Sequence, residues 1–226
     1  MTQPQVTRDS LAPDERLRVT EIFHSIQGES RPTGLPTVFI RLTGCPLRCG
    51  YCDTAYAFHG GHWSTFDEIV VQARSYGTRY VCVTGGEPLA QPNCGGLLRR
   101  LCDEGFDVSL ETSGALDIAD VDPRVCVVMD IKTPGSGEET RNLLDNLAHL
   151  KSSDQLKFVI CSRADYEWSK AFVDRHRLLN VCALLFSPSQ GQLEPRELAE
   201  WILDDRLQVR FQVQLHKYLW GDAPGH

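Results

Sequence analysis

Short runs of β-branched and apolar residues alternate along this chain with segments whose apolar positions recur at helical spacing. Runs at 19–23, 37–42, 80–84, 107–111, 125–131, 155–160, 181–186 and 209–214 read as strands. Most are continuous rather than alternating, the pattern expected of strands covered on both faces. Between them, Phe66, Ile69, Val70, Ala73 and Tyr76 share one helix face. Thr65 with Glu68 offers that helix a capping box, and Gly77 a stop. Asn93 is placed to cap a helix lined by Leu97, Leu98, Leu101 and Cys102 and ended by Gly105. Helical patterns also cover 138–150, 164–177 and 194–204, with Pro195 suited to the first turn of the last. The connection 111–125 holds only a turn. Residues 1–16 are polar, carry Pro4 and Pro13 and show no period, which predicts a flexible arm.

Strands separated by single helices make βαβ units and a mainly parallel sheet. About six such units can form an open, incomplete TIM-like β/α barrel or a doubly wound sheet, and periodicity does not choose between them. With no internal repeat and no linker, the expectation is one α/β domain over 17–226. In either architecture ligands gather at the C-terminal ends of the strands.

Composition narrows the class. Of 226 residues 42% are hydrophobic and 23% charged, which suits a globular chain rather than a disordered one. The net charge is −7 and there is no basic stripe, so nucleic acid is not an expected partner. The longest apolar runs fall far short of the ~20 residues that span a bilayer. No basic start precedes an apolar core, so no export signal and no membrane contact are expected. The cytoplasm is the expected location. In that reducing compartment nine cysteines point to metal or catalysis rather than disulfides. Cys82, Cys94, Cys102, Cys126, Cys161 and Cys182 lie in apolar stretches and read as small buried hydrophobes.

The other three stand apart. Gly44-Cys45-Pro46-Leu47-Arg48-Cys49-Gly50-Tyr51-Cys52-Asp53-Thr54 sets three thiols at C-x3-C-x2-C spacing in a loop directly after a strand. Iron–sulfur clusters normally take four thiolates, and three would leave one iron open to a ligand. Zinc completed by His59 or His62 fits the same residues, and spacing alone leaves both readings standing. Thr84-Gly85-Gly86-Glu87-Pro88 follows a later strand, where adjacent glycines let a ligand meet bare backbone and a carboxylate can receive an ammonium.

With Tyr51 just before the last cysteine, the three-cysteine loop resembles that of the radical S-adenosylmethionine superfamily. The resemblance implies a partial parallel barrel and a [4Fe–4S] cluster on Cys45, Cys49 and Cys52. The methionine amino and carboxylate groups of S-adenosylmethionine would chelate the open iron, and one electron would release a 5′-deoxyadenosyl radical. It also implies a cofactor pocket built from Tyr51, Cys52, Asp53, Gly85, Gly86, Glu87, Ser113, Asp130, Ile131, Lys132 and Ser187.

Upstream lie Ile26-Gln27-Gly28-Glu29 and Arg41, and downstream Gln214-Leu215-His216-Lys217. Together with the two loops, these resemble the 7-carboxy-7-deazaguanine synthase family over most of the chain. That resemblance implies a small pterin substrate, 6-carboxy-5,6,7,8-tetrahydropterin. Ile26, Gln27, Gly28 and Glu29 would read its edge, Arg41 would take its carboxylate, and Thr84 would lie close by. The radical would abstract hydrogen at the pterin C6, the skeleton would rearrange, and ammonia would leave in the deazapurine (queuosine) pathway. The resemblance further implies Mg2+ at Thr54, an electron donor of the flavodoxin or ferredoxin type, and a homodimer. Two stretches depart from the family pattern: Glu29-Ser30-Arg31-Pro32 replaces a glycine-rich continuation, and Asp130-Ile131-Lys132 replaces a Ser-Pro-Lys form. A glycyl-radical activase shares the three-cysteine loop, and a zinc-binding interaction module is the reading outside enzymology.

Overall fold

The structure, a computed structural model, describes residues 15–221, 223 and 225. The expected arm at 1–16 therefore lies outside the described residues over 1–14, and the first strand already begins at Arg16.

Among the described residues nine strands form one sheet: β1 (Arg16–Ile26), β2 (Pro36–Leu42), β3 (His62–Thr65), β4 (Tyr80–Gly85), β5 (Asp107–Thr112), β6 (Cys126–Ile131), β7 (Gln155–Ile160), β8 (Ala183–Pro188) and β9 (Arg210–Phe211). Their spatial order is β3-β1-β2-β4-β5-β6-β7-β8-β9. β1 runs antiparallel to β2 and β3; from β2 onward every neighbour is parallel. This order decides the architecture. From β4 each new parallel strand is added on the same side of the last, and right-handed crossovers then carry the connecting helices to one face. A doubly wound sheet needs a reversal that is absent here. The sheet is an incomplete barrel with its edge strands left unpaired to one another.

The helices are α1 (Phe66–Ser75), α2 (Cys94–Asp103), α3 (Arg163–His176), α4 (Pro195–Asp204) and α5 (Leu215–Trp220). Thr65 and Glu68 close the predicted capping box on α1. Asn93 precedes α2, yet its amide donates to Arg16 O at 3.1 Å, tying α2 to β1 instead of capping it. The helix expected over 138–150 is two 3-10 turns, Glu139–Arg141 and Leu144–His149. Asn side chains explain the difference. Asn142 exchanges bonds with Lys132 N and O at 2.8 and 2.9 Å, and Asn146 binds Ile118 N and Leu116 O at 3.2 and 2.8 Å. Such side chains satisfy neighbouring backbone at the expense of helix. The strand expected over 209–214 is reduced to β9, and the QLHK segment turns into α5; β3 is a strand that periodicity did not reveal.

Strand residues alternate between two environments. Val81, Val83, Leu110, Val127, Met129, Ile131, Phe158 and Phe186 point outward and pack under the helices as two apolar clusters. The alternate positions face the concave side. The apolar runs are thus covered by helices on one face only; the other encloses a cavity. Of the six cysteines expected to be buried hydrophobes, Cys82 and Cys94 are fully buried, while Cys102, Cys126, Cys161 and Cys182 are partly exposed. Among the described residues, no helix is long and apolar enough to cross a membrane.

Candidate active site

At the C-terminal mouth of the parallel strands the concave face encloses a cavity of about 530 Å³. The three-cysteine loop forms one wall, all three thiols free and lining the cavity. Burial pushes the Cys45 and Cys49 thiols up, against local hydrogen bonding and the Lys132 charge respectively. The loop is held by main chain. Gly44 N donates to Ala57 O at 2.8 Å, Gly50 N to Ser136 O at 2.9 Å, and Glu87 N to Gly44 O at 2.8 Å. Arg48 adds bonds to Cys45 O and Leu47 O and lies over the Phe58 ring at 4.2 Å.

The TGGEP loop is packed into this wall. A Cβ on Gly86 would sit 2.2 Å from Gly44 O, and one on Gly85 2.3 Å from Leu42 O. The two glycines are required by close backbone approach. Glu87 does not reach the cavity. It is fully buried, and its carboxylate accepts from Thr112 Oγ1 at 2.9 and 3.0 Å, Ser113 N at 2.6 Å and Leu89 N at 3.0 Å. In this arrangement it ties the β4 and β5 ends together. Ile131 likewise points outward into the apolar layer, while its neighbours Asp130 and Lys132 line the cavity.

The opposite wall is polar. Arg41 on β2 binds Glu21 on β1 through Nε at 2.7 Å, and Tyr56 OH donates to the same oxygen at 2.7 Å. Burial works against the Arg41 charge, but Tyr56 and Glu21 outweigh it and its pKa rises. For Tyr56, burial and the Glu21 bond push the phenol to about 12. Thr84 donates to Glu111 at 2.9 Å. Gln27 is 2% exposed, and its Nε2 is buried with no protein partner. An unpaired buried donor lining a cavity is costly unless a ligand or water accepts from it. Tyr51 OH is a second such group.

Gly28 does not line the cavity. It passes under α5, where a Cβ would meet His216 Nδ1 at 2.2 Å. The close approach places His216 and Lys217 at the cavity rim, with Leu215 N bonded to Gly28 O at 3.0 Å. Ile26, Glu29, Asp53, Thr54, Gly85, Gly86, Ser113 and Ser187 all line the same space. Thr54 Oγ1 donates to Asp53 at 2.7 Å. That bond, set against burial, holds the Asp53 carboxyl below its usual range. His59 and His62 are exposed and neither lines the cavity, and no three His, Cys, Asp or Glu side chains among the described residues converge on a single metal ion.

The motifs did not single out Glu21, Lys157 or Gln214 as working side chains. Lys157 and Glu21 had a signal: each is a charge inside a strand pattern, on the same face as its cavity-lining neighbours. Gln214 had none beyond its place in the QLHK string.

A singly wound partial barrel with three free thiols beside its strand ends defines the radical S-adenosylmethionine class, and residues 39–126 match the Radical SAM superfamily. The fold is similar to E. coli QueE, with TM-score 0.73, 22% identity, and coverage of 89% of this chain and 95% of that one. It is also similar to Streptococcus suis SuiB bound to S-adenosylmethionine, with TM-score 0.54, 16% identity, and coverage of 76% and 48%. The 7-carboxy-7-deazaguanine synthase of Chlorobaculum tepidum is 47% identical over 219 residues, 95% of this chain and 100% of that protein. That of Koribacter versatilis is 40% identical over 90% and 97%. The chain belongs to the 7-carboxy-7-deazaguanine synthase family.

Proposed function

We propose that the chain converts 6-carboxy-5,6,7,8-tetrahydropterin to 7-carboxy-7-deazaguanine with loss of ammonia, a radical ring contraction serving queuosine biosynthesis. One observation carries the reading. The three free thiols share a single cavity with Gln27, Glu29 and Arg41, so a cluster-held cofactor and a polar heterocycle can meet there.

The donor set fits. Cys45, Cys49 and Cys52 would hold the [4Fe–4S] cluster, and bare backbone at Gly85 and Gly86, with Ser113, Asp130, Lys132 and Ser187, would hold S-adenosylmethionine. When bound, these groups supply the one-electron chemistry that starts hydrogen abstraction. The chain's own part is placement. Arg41 has Nε occupied by Glu21, which leaves its terminal nitrogens to grip the substrate carboxylate in a fork. The unpartnered Gln27 Nε2 donates to a pterin acceptor, and Glu29 accepts from the pterin N–H edge. Phe23 and Phe39, stacked with centroids 5.0 Å apart, give the apolar floor. Thr54 and Asp53 supply the hard oxygens that suit Mg2+. An electron donor of the flavodoxin or ferredoxin type and a homodimer complete the reading, carried by the resemblance alone, and a cytoplasmic location follows the sequence expectation.

The test is an anaerobic turnover of cluster-loaded protein with reductant, Mg2+, S-adenosylmethionine and the carboxytetrahydropterin, followed by mass spectrometry. The expected result is 7-carboxy-7-deazaguanine, formed without stoichiometric loss of S-adenosylmethionine. An intact cluster that yields 5′-deoxyadenosine but no deazaguanine would remove the pterin assignment and leave the radical machinery standing.

A further inference from the structure

β7 carries a lysine where its pattern calls for apolar residues. Lys157 lies on the cavity face beside Val159, with its side chain 13% exposed. Its ammonium is 2.6 Å from Glu29 Oε2 and 3.3 Å from Asp130 Oδ1. Burial opposes the charge, but Asp130, Glu29 and Glu111 more than offset it and the pKa rises. The two near carboxylates come from different walls. Glu29 belongs to the loop between β1 and β2, and Asp130 to the end of β6. Asp130 has a second cation, Lys132, at 2.9 Å, and that ammonium lies 5.8 Å from the centroid of the Tyr51 ring in the cysteine loop. Glu29 Oε1 accepts from Gln214 Nε2 at 2.9 Å. Glu29 is thus held on one oxygen by Lys157 and on the other by Gln214. Each oxygen keeps a further lone pair for a ligand.

We infer that Lys157 is a positioning residue for the reaction: it fixes Glu29, the carboxylate that reads the pterin edge, against the cofactor wall at Asp130. The inference rests on the proposed function. Without Lys157, Glu29 loses its ion pair and keeps only Gln214 to aim it, whereas Asp130 keeps Lys132. Substrate binding suffers, and S-adenosylmethionine binding suffers much less.

Anaerobic calorimetry on cluster-loaded protein measures the Kd of the carboxytetrahydropterin and, separately, of S-adenosylmethionine. Lys157→Met is expected to weaken the pterin about tenfold, as contacting residues couple, and S-adenosylmethionine by about twofold or less. Lys157→Arg, which keeps the charge, should recover most of the loss. Because Lys157 acts through Glu29, the Glu29→Gln, Lys157→Met double variant should bind the pterin no worse than Glu29→Gln alone. If Lys157→Met does not fold, Lys157→Gln takes its place, retaining a donor toward Glu29 without the charge. A pterin Kd unchanged in the Met or Gln variant, or losses that add in the double variant, would overturn the inference. Failure of the unsubstituted enzyme to bind the pterin would instead strike the proposed function.

Discussion

Replacing Gly86 by alanine asks whether the TGGEP loop is a ligand surface only or also a support for the cysteine loop. The added Cβ would stand 2.2 Å from Gly44 O, 2.7 Å from Gly44 C and 2.8 Å from Cys45 Cβ. Ordinary contacts lie at ~3.5 Å, so the cysteine loop must retreat by about 1 Å. Two of the three atoms are backbone and no rotamer relieves them. Retreat also strains the 2.8 Å bond from Glu87 N to Gly44 O. Losing that bond costs ~1 kcal/mol and overpacking ~1–3, about 2–4 kcal/mol in all. For a chain of this length that lowers Tm by about 5–15 °C. The effect on the thiols is more severe, because metal donors tolerate only about 0.2 Å of error. Gly86→Ala should therefore fold, melt early and take up much less iron and sulfide per chain on anaerobic reconstitution. Gly95→Ala is the control, since nothing lies within 4 Å of its Cβ. Wild-type iron content and Tm in Gly86→Ala would refute the packing argument.

Glu21→Gln keeps the shape beside Arg41 and removes the charge; KM for the pterin should rise about tenfold with kcat nearly unchanged. An unaltered KM would mean that Glu21 does not aim the guanidinium. Thr54→Ala should weaken the magnesium dependence of turnover, and an identical magnesium titration would take Thr54 out of the metal site. Thr65→Ala removes the acceptor for Glu68 N and half the α1 capping box. Calorimetry should show a loss of ~1 kcal/mol, with catalysis unaffected. A wild-type Tm would mean that the box adds nothing to α1.

The element order was legible because local rules agree with the tertiary result. The α1 box, Pro195 at the start of α4 and the apolar runs of β4 to β8 each belong to one element and depend on no distant partner. Where the structure departs from the local pattern, distant partners decide. Asn142 and Asn146 look neutral in a helical pattern, and only the presence of Lys132 and Gly114 across the fold makes turns the better use of their amides. β3 is four residues long and pairs with the N-terminal half of β1, a contact that no period announces.

The site divides along the same line. Cys45, Cys49 and Cys52 were readable because one loop supplies them, and spacing is a local property. The motif marks Glu87 as a ligand, whereas the structure turns it inward onto Thr112, Ser113 and Leu89. A carboxylate with both oxygens so occupied cannot receive an ammonium without first giving up bonds that hold two strand ends together. Glu21 and Lys157 act the opposite way. Each interrupts a strand with a charge, and a charge buried in a sheet survives only with partners. Those partners, Arg41 and Glu29, sit 20 and 128 residues away. A charged residue on the concave face of a strand is therefore the sequence signal to follow in this fold. It marks strands whose second face looks into a polar cavity rather than onto a second layer of helices.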